Sequence, residues 1–545
     1  MLPREVPVLV VGAGPSGAFC ALLLERLGVE TAIVERRAGP QRAPAAHVVN
    51  ARTFEICRSA GLDMQAIADA SIDPADAGFA AFASKLGAEP YGWLPFEQQG
   101  DDQLELTPTP LRNLSQNRFE PILLDALARA GRMPAWRMQW ESSSSRGDRI
   151  VSRIRDRETA EVHEVASEYL IGADGAGSRI RQQQKIELTG PDRLQSFVMI
   201  HFQATLRGIP GVPPGVLVFL AGAASPAGVF VIHDLDREAT YMHPFDPEQD
   251  PFEGYDSARC EGLIRAGLAD PDLPLTVETV SRWTMTAQVA TRYRDGRIFL
   301  VGDAAHRFPP TGGLGLNTGV QDAHNLAWKL AAVRAGWAPA SLLDSYESER
   351  QPVARTNADQ SLRNAARLVQ VPQALAEPDS SPARVAEAVA NQAEHFDMPG
   401  LQLGFCYARG ALVPEPDEPE VALDPRTFTP SGRPGSRIPH VWLGDPTSES
   451  SLLDWIPLDR FALIAGPDGQ AWADAAGSLA GPPLTSLVLG PKQLPDPARW
   501  LAQAGIGADG CLLVRPDQHV AWRARSRLED PARALSQALS TLLAG

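Results

Sequence analysis

The sequence has little cysteine and no long uninterrupted apolar run, and both absences narrow the class of protein. Only 5 of the 545 residues are cysteine, and none stand in a C-x-x-C spacing. An odd, sparse set of this kind indicates a reducing compartment and argues against a disulfide framework or a zinc site.

The longest apolar stretch, 216–232, is interrupted by Gly222, Ser225, Pro226 and Gly228, which predicts two strands around a turn and not a membrane span. The N-terminus enters a strand directly, without the apolar core of a signal peptide. We therefore expect a cytoplasmic protein without a metal site or a membrane partner.

Positive charge is also scarce. The 50 Lys and Arg residues are outnumbered by 66 Asp and Glu, so the formal net charge is −16. This balance, with no run of Lys or Arg, argues against a nucleic-acid-binding surface. Hydrophobic residues make up 44% and charged residues 21% of the chain, as in globular proteins, and the length allows two or three domains with a large core.

The order of patterns along the chain predicts an α/β fold. A buried strand "VPVLVVG", a helix "PSGAFCALLLERLG" and a second strand "VETAIVERR" form a βαβ unit, so a parallel sheet is expected. From 192 to about 292 the chain is rich in strands, and helical patterns return between 320 and about 396. The Pro-rich and acidic stretch 413–440 is typical of a linker. The last hundred residues have the pattern of a small α/β domain.

The first strand is followed by a glycine fingerprint, "VVGAGPSG", that indicates a bound dinucleotide. Gly12 allows a tight turn, Gly14 lets the backbone approach a pyrophosphate, and Gly17 lets helix and strand pack closely. The helix N-terminus supplies N–H groups for the phosphates, and Glu35 ends the second strand where a carboxylate binds a ribose hydroxyl. The fingerprint alone does not choose between FAD and NAD.

Two later stretches also end a buried strand on a carboxylate. "EYLIGADGAGSRIR", 168–181, ends its strand near Asp174, and "RIFLVGDAAHRFPPTGGLGLNTG", 297–319, ends its strand on Gly302-Asp303. The second stretch continues into a loop of Pro and Gly that carries His306 and Asn317. A loop with few bulky side chains directly after a carboxylate indicates that a flat ligand with polar edges lies along it.

In these three motifs, their order and their spacing, the chain resembles the class A flavoprotein monooxygenases, the single-component FAD aromatic hydroxylases. The resemblance spans nearly the whole chain and is nearest to phenol and chlorophenol hydroxylases, which carry a similar "GLG-x-NT" run and a "PGSRIPHVWL"-like stretch. It implies a Rossmann-type FAD-binding domain with an inserted β-sheet substrate domain and a C-terminal thioredoxin-like domain. The implied limits are 1–75, 100–191 and 290–400 for the FAD domain, 76–99 and 192–289 for the substrate domain, 401–440 for a linker, and 441–545 for the last domain.

The resemblance also implies which residues bind FAD, tightly but without a covalent bond. Asp303 holds the ribityl hydroxyls, the 309–317 loop lies along the isoalloxazine ring, and Asp174 lies near the pyrophosphate and the route of NAD(P)H. A helix that begins near Thr318, with Gln321 completing a capping box, directs its positive end to the flavin and stabilises charge on the reduced ring. The full predicted set is Gly12, Gly14, Pro15, Ser16, Gly17, Glu35, Arg36, Gln116, Asp174, Gly302, Asp303, Pro310, Gly313, Leu314, Gly315, Leu316 and Asn317.

Two of these inferences have alternatives. Gln116 matches a family glutamine beside the ribityl chain, but by itself it reads as a residue at the surface start of a helix. The family also has "PRA" where this chain has Pro44-Ala45-Ala46, so the arginine near the FAD phosphates is missing at Ala45. Arg42 or Arg52 is a candidate to replace it.

His47 is the predicted catalytic residue. In "APAAHVVNARTFE" it matches the place where phenol hydroxylases have an ionisable residue beside the substrate ring. With a pKa near neutrality, it could accept the phenolic proton, and the alternative is a histidine packed between helices. The predicted substrate-binding side chains of the inserted sheet are Phe219, Phe230, His233, Tyr241 and His243. Cys511 stands alone in the last domain, so no disulfide chemistry is expected there, and that domain is assigned to stability or association.

The resulting function is a monooxygenase. NAD(P)H reduces the FAD, O2 then gives a flavin C4a-hydroperoxide, and its distal oxygen attacks a phenolic or polycyclic aromatic ring. NADPH and NADH are both open as co-substrate, and the protein is expected to be a monomer or homodimer. Two alternatives stay open: a flavin-dependent dehydrogenase or quinone reductase that does not use O2, and a non-catalytic flavoprotein that binds an aromatic compound. A flavin halogenase is disfavoured because "DWIP" at 454–457 does not match the W-x-W-x-I-P motif.

Overall fold

The computed structural model describes residues 2–96, 99–209, 215–222, 226–378, 380–415, 422–444, 450–494 and 496–544. The strands of these residues, in chain order, are β1 (Glu5–Val11), β2 (Thr31–Glu35), β3 (Val48–Val49), β4 (Phe79–Ala83), β5 (Pro90–Pro95), β6 (Arg112–Asn113), β7 (Ala135–Trp136), β8 (Met138–Arg146), β9 (Arg149–Asp156), β10 (Val162–Gly172), β11 (Leu188–Thr189), β12 (Gln195–Ala204), β13 (Gly215–Leu220), β14 (Gly228–Asp234), β15 (Glu238–Phe245), β16 (Leu275–Met285), β17 (Gln288–Ala290), β18 (Arg294–Asp295), β19 (Ile298–Leu300), β20 (His306–Arg307), β21 (Phe461–Ala465), β22 (Leu484–Val488), β23 (Cys511–Val514) and β24 (Val520–Ala524).

The α-helices, in chain order, are α1 (Pro15–Arg26), α2 (Ala51–Ser59), α3 (Met64–Ala70), α4 (Gln116–Arg129), α5 (Arg179–Gln183), α6 (Ser257–Gly267), α7 (Leu314–Arg334), α8 (Ser345–Leu368), α9 (Gln370–Ala376), α10 (Pro382–Ala390), α11 (Ala393–Phe396), α12 (Pro399–Leu403), α13 (Gln470–Ser478), α14 (Ala498–Ala504) and α15 (Pro531–Ala544). Among the residues described, none of these helices combines the length and the apolar character needed to cross a bilayer. The α/β fold class is confirmed.

A mostly parallel sheet forms the centre of the FAD-binding region. Its strand order is β18-β19-β10-β1-β2-β7, and β1 pairs in parallel with both β2 and β10, while β10 pairs in parallel with β19. Strand β1 is almost fully buried, as its continuous apolar run requires. Parallel strands bring their carboxyl ends to one edge, so the three carboxylate-bearing motifs of the sequence meet there.

The inserted sheet has seven strands, in the order β16-β12-β15-β14-β13-β4-β5. The apolar stretch 216–232 forms β13 and β14 of this sheet, as predicted, and residues 223–225 between them lie outside the described residues. One face of the sheet packs on helix α6, and the other face packs toward helices α9 to α11. Because side chains alternate between the faces, position along each strand decides which side chains approach the FAD region.

The C-terminal unit has a four-stranded sheet in the order β22-β21-β23-β24. Strands β21 and β22 are parallel and connected by α13, whereas β23 and β24 form an antiparallel hairpin that α15 follows. This βαβ unit with an added hairpin and helix is the thioredoxin-like arrangement that the sequence predicted. Cys511 is buried and free, and no disulfide joins the cysteines of the described chain.

Buried ion pairs join this C-terminal unit to the FAD-binding region, and we call them the interdomain ion network. Arg515 donates to both carboxylate oxygens of Glu349 at 2.8 Å, and its Nε donates to Asp517 at 2.9 Å. Nε of Arg437 donates to Glu55 at 3.0 Å. All these side chains are almost fully excluded from solvent.

The predicted linker, 401–440, is not a free tether in its described part. Leu401, Tyr407, Leu412 and Ile438 are buried, and Arg437 takes part in the interdomain ion network. Apolar side chains within the Pro-rich stretch give it a surface to pack on, which its composition alone does not reveal. Residues 416–421 lie outside the described residues, and the exact domain limits stay a prediction.

Candidate active site

The glycine loop after β1 has the geometry of a phosphate cradle. Gly12 has a φ of +109°, and a Cβ there would lie 2.1 Å from the carbonyl oxygen of Ala173. A Cβ on Gly17 would lie 2.1 Å from the carbonyl oxygen of Gly12, so both positions require glycine for packing. Gly14 faces open space, and the N-terminus of α1 begins directly after it without a side-chain cap. Its first N–H groups lack helical acceptors and are available to an anion.

Glu35 lies beside this loop at the end of β2. Its carboxylate accepts hydrogen bonds from the backbone N–H of Ala13 at 2.9 Å and of Arg37 at 2.8 Å. These bonds fix the carboxylate at the sheet edge, where the remaining lone pairs can meet a ribose. The neighbouring Arg36 is exposed.

Asp174 lies at the same edge, after β10. One carboxylate oxygen accepts from the backbone N–H of Arg179 at 2.7 Å, whereas the other, Oδ1, is buried without a partner in the described structure. A buried acceptor without a partner is costly, which is a reason to expect a ligand there. Arg181, from the same motif, donates to the carbonyl oxygen of Ala304 at 3.0 Å and so connects this motif to the Gly302-Asp303 turn.

Gly302 and Asp303 form the third part of the edge. Gly302 has a φ of +59°, and a Cβ there would meet the Ser16 hydroxyl at 2.4 Å, so the turn packs directly on α1. The side chain of Asp303 is exposed at the edge of the site, where neighbouring protein displaces part of its water. This loss of solvation raises the pKa of Asp303, against the opposing charges of His306 and Arg307. Asp303 makes no hydrogen bond within the described residues, which leaves its oxygens available to a hydroxyl-rich ligand.

Asp322 lies beneath this turn in the protein interior and fixes the turn through hydrogen bonds. It accepts from the backbone N–H of Gly302 at 3.2 Å, lies 2.8 Å from Nε2 of His306, and accepts from Nε of Arg350 at 2.8 Å. Burial opposes ionisation, but the charges of His306 and Arg350 outweigh it and lower the pKa of Asp322. His306 therefore has a structural position beneath the site.

The predicted start of helix α7 is wrong. The helix begins at Leu314 after a left-handed Gly313, and the Thr318 hydroxyl lies inside it, donating to the Leu314 carbonyl oxygen at 2.8 Å. Left-handed Gly313 ends the loop, so Leu314, Gly315, Leu316 and Asn317 form the first turn of the helix and only 309–313 is loop. No acidic residue stands in that turn. The positive helix end predicted to face the flavin is retained, four residues earlier in the chain.

Arg52 is not free to replace the family arginine missing at Ala45. Its guanidinium is buried and donates to Gln518 at 2.6 Å and to the carbonyl oxygen of Asp517 at 2.7 Å. Arg52 is thus committed to the C-terminal unit, which no local sequence signal could reveal. Arg42 is exposed and makes no side-chain hydrogen bond within the described residues, so it stays the candidate.

Gln116 is the first residue of α4, as the simpler interpretation predicted. Its amide Nε2 donates to Glu120 at 2.7 Å, and its backbone N–H donates to the Ala46 carbonyl oxygen at 2.7 Å. The second bond ties α4 to the segment that carries His47. A contact between Gln116 and FAD stays a prediction.

Asn317 connects the segment that follows His47 to the loop predicted to carry the flavin ring. The Asn317 amide donates to the carbonyl oxygens of Val48 at 3.0 Å and Gly313 at 2.6 Å, and its oxygen accepts from the backbone N–H of Asn50 at 2.9 Å. A Cβ on Gly313 would lie 2.7 Å from that of Val48. The strand that begins one residue after His47 therefore rests directly on the loop predicted to carry the flavin ring.

Two amide side chains orient the His47 ring. Gln99 donates to the carbonyl oxygens of Ala77 at 2.9 Å and Phe96 at 3.1 Å, which directs its own oxygen to the Asn113 amide nitrogen, 3.0 Å away. The Asn113 oxygen then lies 3.3 Å from Nδ1 of His47. Nδ1 is therefore the donor, and Nε2 carries the free lone pair of the neutral ring. Neither amide was predicted, since each lies in an unremarkable loop or short strand.

The pKa of His47 differs from the expected value. Burial lowers it to about 4, although the hydrogen bond with Asn113 acts in the opposite direction. The prediction of a pKa near neutrality is therefore wrong. His47 is a neutral imidazole at pH 7 and a weaker base than its unperturbed form, but it is always in the state that can accept a proton.

The structure brings two of the five predicted substrate side chains to the His47 face. The rings of His47 and His233 are 6.2 Å apart, and Phe219 lies on the same face of the inserted sheet. The assignment of Phe230, Tyr241 and His243 is corrected. Phe230 and Tyr241 stack at 4.6 Å in the core against α6, and His243 lies 6.0 Å from Tyr241 on that same side. Alternation along β14 and β15 sends these three side chains to the opposite face.

An aromatic wall that the sequence did not predict completes the site. Its members are Phe96, Phe219, His395 and Phe396, whose neighbouring rings lie within 6.1 Å of each other. The ring of Phe96 is also 6.2 Å from that of His47. His395 and Phe396 come from α11, about 350 residues from His47, so only the tertiary structure joins them. The wall makes a surface suited to a flat aromatic ligand.

The parallel-sheet edge fits FAD. It offers an open glycine cradle, the fixed Glu35 carboxylate, the partnerless Oδ1 of Asp174, and an available Asp303. The loop beyond Asp303 leads to the uncapped N-terminus of α7 and then to the His47 side of the molecule. The individual contacts to FAD stay predictions.

Family comparisons agree with this geometry. Residues 5–361 match the family described as "FAD binding domain", and residues 431–544 match the family described as "Aromatic-ring hydroxylase, C-terminal". The chain is 36% identical to tetracenomycin B2 monooxygenase-dioxygenase of Streptomyces olivaceus, with 99% of each chain covered. It is 33% identical to 2,4-dichlorophenol 6-monooxygenase of Cupriavidus pinatubonensis, over 99% of this chain and 97% of that protein.

Solved structures are similar over the full length as well. The flavin-dependent monooxygenase PieE, in complex with FAD and substrate, superposes with a TM-score of 0.91 at 34% identity and 99% coverage of both chains. Aklavinone-11 hydroxylase, in a ternary complex with FAD and aklavinone, superposes with a TM-score of 0.84 at 32% identity and 100% coverage of both chains.

Proposed function

Because the chain belongs to the family of FAD-dependent aromatic-ring hydroxylases, we propose that its substrate is a polycyclic phenol bound between His47 and the aromatic wall. The protein is a monooxygenase that uses FAD, NAD(P)H and O2 to hydroxylate an aromatic compound. Its relatives' activities favour this function over a dehydrogenase or quinone reductase that does not use O2, and over a flavoprotein without catalysis.

FAD, when bound and reduced by NAD(P)H, supplies the chemistry that activates O2 and delivers an electrophilic oxygen. The chain's own residues hold and protect the reacting partners. In the proposal, the glycine cradle, Glu35, Asp174 and Asp303 bind FAD. The neutral His47 ring accepts the phenolic proton at Nε2, which makes the ring carbons ortho and para to the hydroxyl more nucleophilic. Phe96, Phe219 and Phe396 exclude water from the reacting ring.

The proposed ring size rests on the extent of the aromatic wall. The ring centroid of Phe396 lies 6.0 Å from that of Phe219 and 5.8 Å from that of Phe96, so the wall extends beyond the width of one benzene ring. Names of relatives support this choice without deciding it, since they include tetracenomycin and aklavinone enzymes as well as phenol hydroxylases.

A substrate panel tests the proposal. NADPH oxidation, oxygen uptake and hydroxylated product are measured with monocyclic phenols, naphthols and tricyclic or tetracyclic phenols. We expect tight coupling of product to NADPH only with substrates of two or more fused rings. Equal coupling with simple phenols would contradict the polycyclic assignment, and no oxygen-dependent product with any of them would contradict the proposed function.

The same preparation tests, by size-exclusion chromatography, our proposal of a monomer or homodimer. We further propose a cytoplasmic location, where a reducing medium suits cysteines that form no disulfide among the described residues.

Replacing Asp303 with alanine is expected to weaken FAD binding about 10- to 100-fold. The change removes a charge-assisted hydrogen bond to the ribityl chain, typically about 1.5–3 kcal/mol. FAD affinity is measured by fluorescence titration of the apoprotein. Asp192→Ala, at an exposed position outside the site, is the control and should keep the wild-type affinity. Unchanged affinity in Asp303→Ala would remove Asp303 from the FAD site.

Replacing Asn113 with aspartate is expected to create an acid limb in the pH profile of kcat/KM. A carboxylate beside Nδ1 would raise the pKa of His47 from its present value of about 4, so the ring would be protonated and inactive below the new pKa. Wild type should show no limb from His47 between pH 6 and 8, because its ring is already neutral there. His233 and His395, which lie nearby, also have lowered pKa values because they are buried.

Asn113→Leu is the control for that pH profile, because it has a similar size but accepts no hydrogen bond. It should lower the rate without adding a limb. Identical pH profiles for wild type and Asn113→Asp would show that Asn113 does not orient a proton-accepting His47.

A further inference from the structure

Two histidines beside His47 have nitrogen atoms that the protein itself leaves without partners. His233 lies on β14, and its Nε2 is 3.0 Å from the Thr240 hydroxyl, but its Nδ1 is buried with no hydrogen-bond partner in the described structure. His395 lies on α11, and its Nδ1 is likewise buried without a partner among those residues. Both side chains are almost fully buried, with 2% and 5% of their surface exposed.

An imidazole nitrogen in this state is costly. A buried polar atom that loses its hydrogen bond to water without gaining another typically costs about 1–3 kcal/mol. Such atoms are rare in folded proteins, and one explanation for each is a ligand that the protein is built to meet. Here two of them lie on the same side of the molecule, next to the proposed catalytic residue.

The surroundings of these histidines specify the kind of ligand. The His395 ring stacks on Phe396 at 4.2 Å and meets Phe219 edge-on at 6.1 Å, so it is part of the aromatic wall. The His233 ring meets the His47 ring edge-on at 6.2 Å. A ligand that contacts both histidines is therefore flat and aromatic, with polar atoms on its edge.

The charge state of the histidines limits which polar groups the ligand can carry on its edge. Burial lowers the pKa of His395 to about 3 and that of His233 well below its ordinary value. Both rings are neutral at pH 7, so they neither require nor favour a carboxylate or a phosphate. A neutral imidazole nitrogen can donate to a quinone carbonyl or exchange a hydrogen bond with a hydroxyl. The described residues include no group of three His, Cys, Asp or Glu side chains placed to hold a metal ion.

We propose that His395 and His233 are specificity-determining residues that bind a second oxygen substituent of the substrate, a hydroxyl or carbonyl on a ring other than the one that reacts. The inference rests on the proposed function, because it presumes that the first phenolic oxygen lies at His47. It names the substrate class more narrowly, as a polycyclic aromatic compound with at least two oxygen substituents on its edge. A hydrocarbon with a single hydroxyl would leave both nitrogen atoms unpaired in the complex.

Matched substitutions separate the hydrogen bond from the shape of the site. His395→Leu and His395→Asn have nearly the same size, but only asparagine offers a polar atom close to the place of Nδ1. His233→Leu and His233→Asn form a second pair on the other element. FAD content and far-UV circular dichroism establish that each variant is folded and loaded before binding is measured.

The probes are naphthalenediols, with the second hydroxyl at position 6, 7 or 8, and the matching naphthols with one hydroxyl. Each is titrated anaerobically into the oxidised, FAD-loaded enzyme, and binding is followed by the change in flavin absorbance. We expect wild type to bind at least one diol about 10-fold more tightly than its naphthol. His395→Leu should lose this preference, whereas His395→Asn should retain most of it, with the preference taken within each variant as the ratio of diol affinity to naphthol affinity.

The outcomes distinguish the inference from the function on which it rests. If naphthols and diols bind equally well to wild type, or if the Leu and Asn variants both retain the diol preference, the second-oxygen site is wrong while a polycyclic hydroxylase stands. If no naphthalene compound binds or is hydroxylated, the proposed function fails and the inference fails with it. If the diol preference is lost only in the His233 variants, His395 does not belong to the site and the proposal as stated is wrong.

Discussion

Replacing His47 with alanine is expected to lower the rate of product formation about 100-fold, while FAD binding and reduction by NAD(P)H stay as in wild type. A positioned general base typically contributes about 100- to 10,000-fold. We expect the lower end because burial lowers the pKa of His47 to about 4, which makes the neutral ring a weak base. More hydrogen peroxide should then be released, because reduction of O2 continues while the un-ionised phenol accepts oxygen slowly.

The decisive measurement is product formed per NADPH consumed, followed from pH 6 to 10. The variant should recover part of the lost rate at pH values that ionise the phenol without help. His163→Ala changes a histidine far from the site on β10, and it should couple as wild type does. If His47→Ala couples as well as wild type at pH 7, then His47 is a packing residue and the proton goes elsewhere, with His233 the nearest candidate.

Replacing Arg515 with methionine is expected to cost about 3–5 kcal/mol of unfolding free energy, the usual penalty for breaking a buried ion pair. Arg515 makes a bidentate contact with Glu349 and a further contact with Asp517, and methionine leaves both carboxylates buried without it. Burial by itself would raise the pKa of Glu349, but the charges of Arg515 and Lys329 outweigh it and lower the pKa to about 2. The pair therefore stabilises the fold above about pH 4.5, and this contribution is lost as the pH falls toward 2.

Urea unfolding followed by circular dichroism measures the loss at pH 7 and again at acid pH, where the gap between wild type and variant should narrow. The control is Arg129→Met, which breaks an exposed pair with Asp125 at 3.1 Å and should cost about 0.5 kcal/mol or less. If Arg515→Met costs no more than Arg129→Met, the interdomain ion network does not stabilise the molecule. A normal urea midpoint with poor coupling of product to NADPH would instead assign the network to positioning of the active site.

Local sequence was sufficient where the structure depends on neighbours in the chain. Gly12 and Gly17 require a backbone that a Cβ would obstruct, and that requirement is visible in the spacing of the motif. Parallel strands end at a common edge, which is why Glu35, Asp174 and Asp303 lie at the same edge of the sheet, where the motifs and the family resemblance had assigned them to one ligand. The α/β class and the thioredoxin-like unit followed in the same way from the order of strands and helices.

Local sequence failed where two patterns compete. The Thr318-to-Gln321 spacing is a good capping box, but a left-handed Gly313 starts the helix four residues earlier. On β14 and β15, alternation predicted that some side chains face the flavin but not which ones. The register of the inserted sheet assigned His233 to the site and Tyr241 to the opposite core, and register depends on partners distant in the chain.

The sequence by itself determined the glycine loop and the strand-end motifs of the predicted FAD site, because these motifs are short, contiguous and dictated by backbone sterics and helix ends. Only the tertiary structure decided the substrate side. His47, Asn113, His233 and His395 come from four separate elements, and their shared burial both lowers the pKa of His47 and leaves two nitrogen atoms without partners. The tertiary structure also pairs Arg52 with Gln518 of the C-terminal unit, more than 450 residues away in the chain. Solvation and pairing of charge depend on everything packed around a group, and that environment is assembled only when distant segments meet.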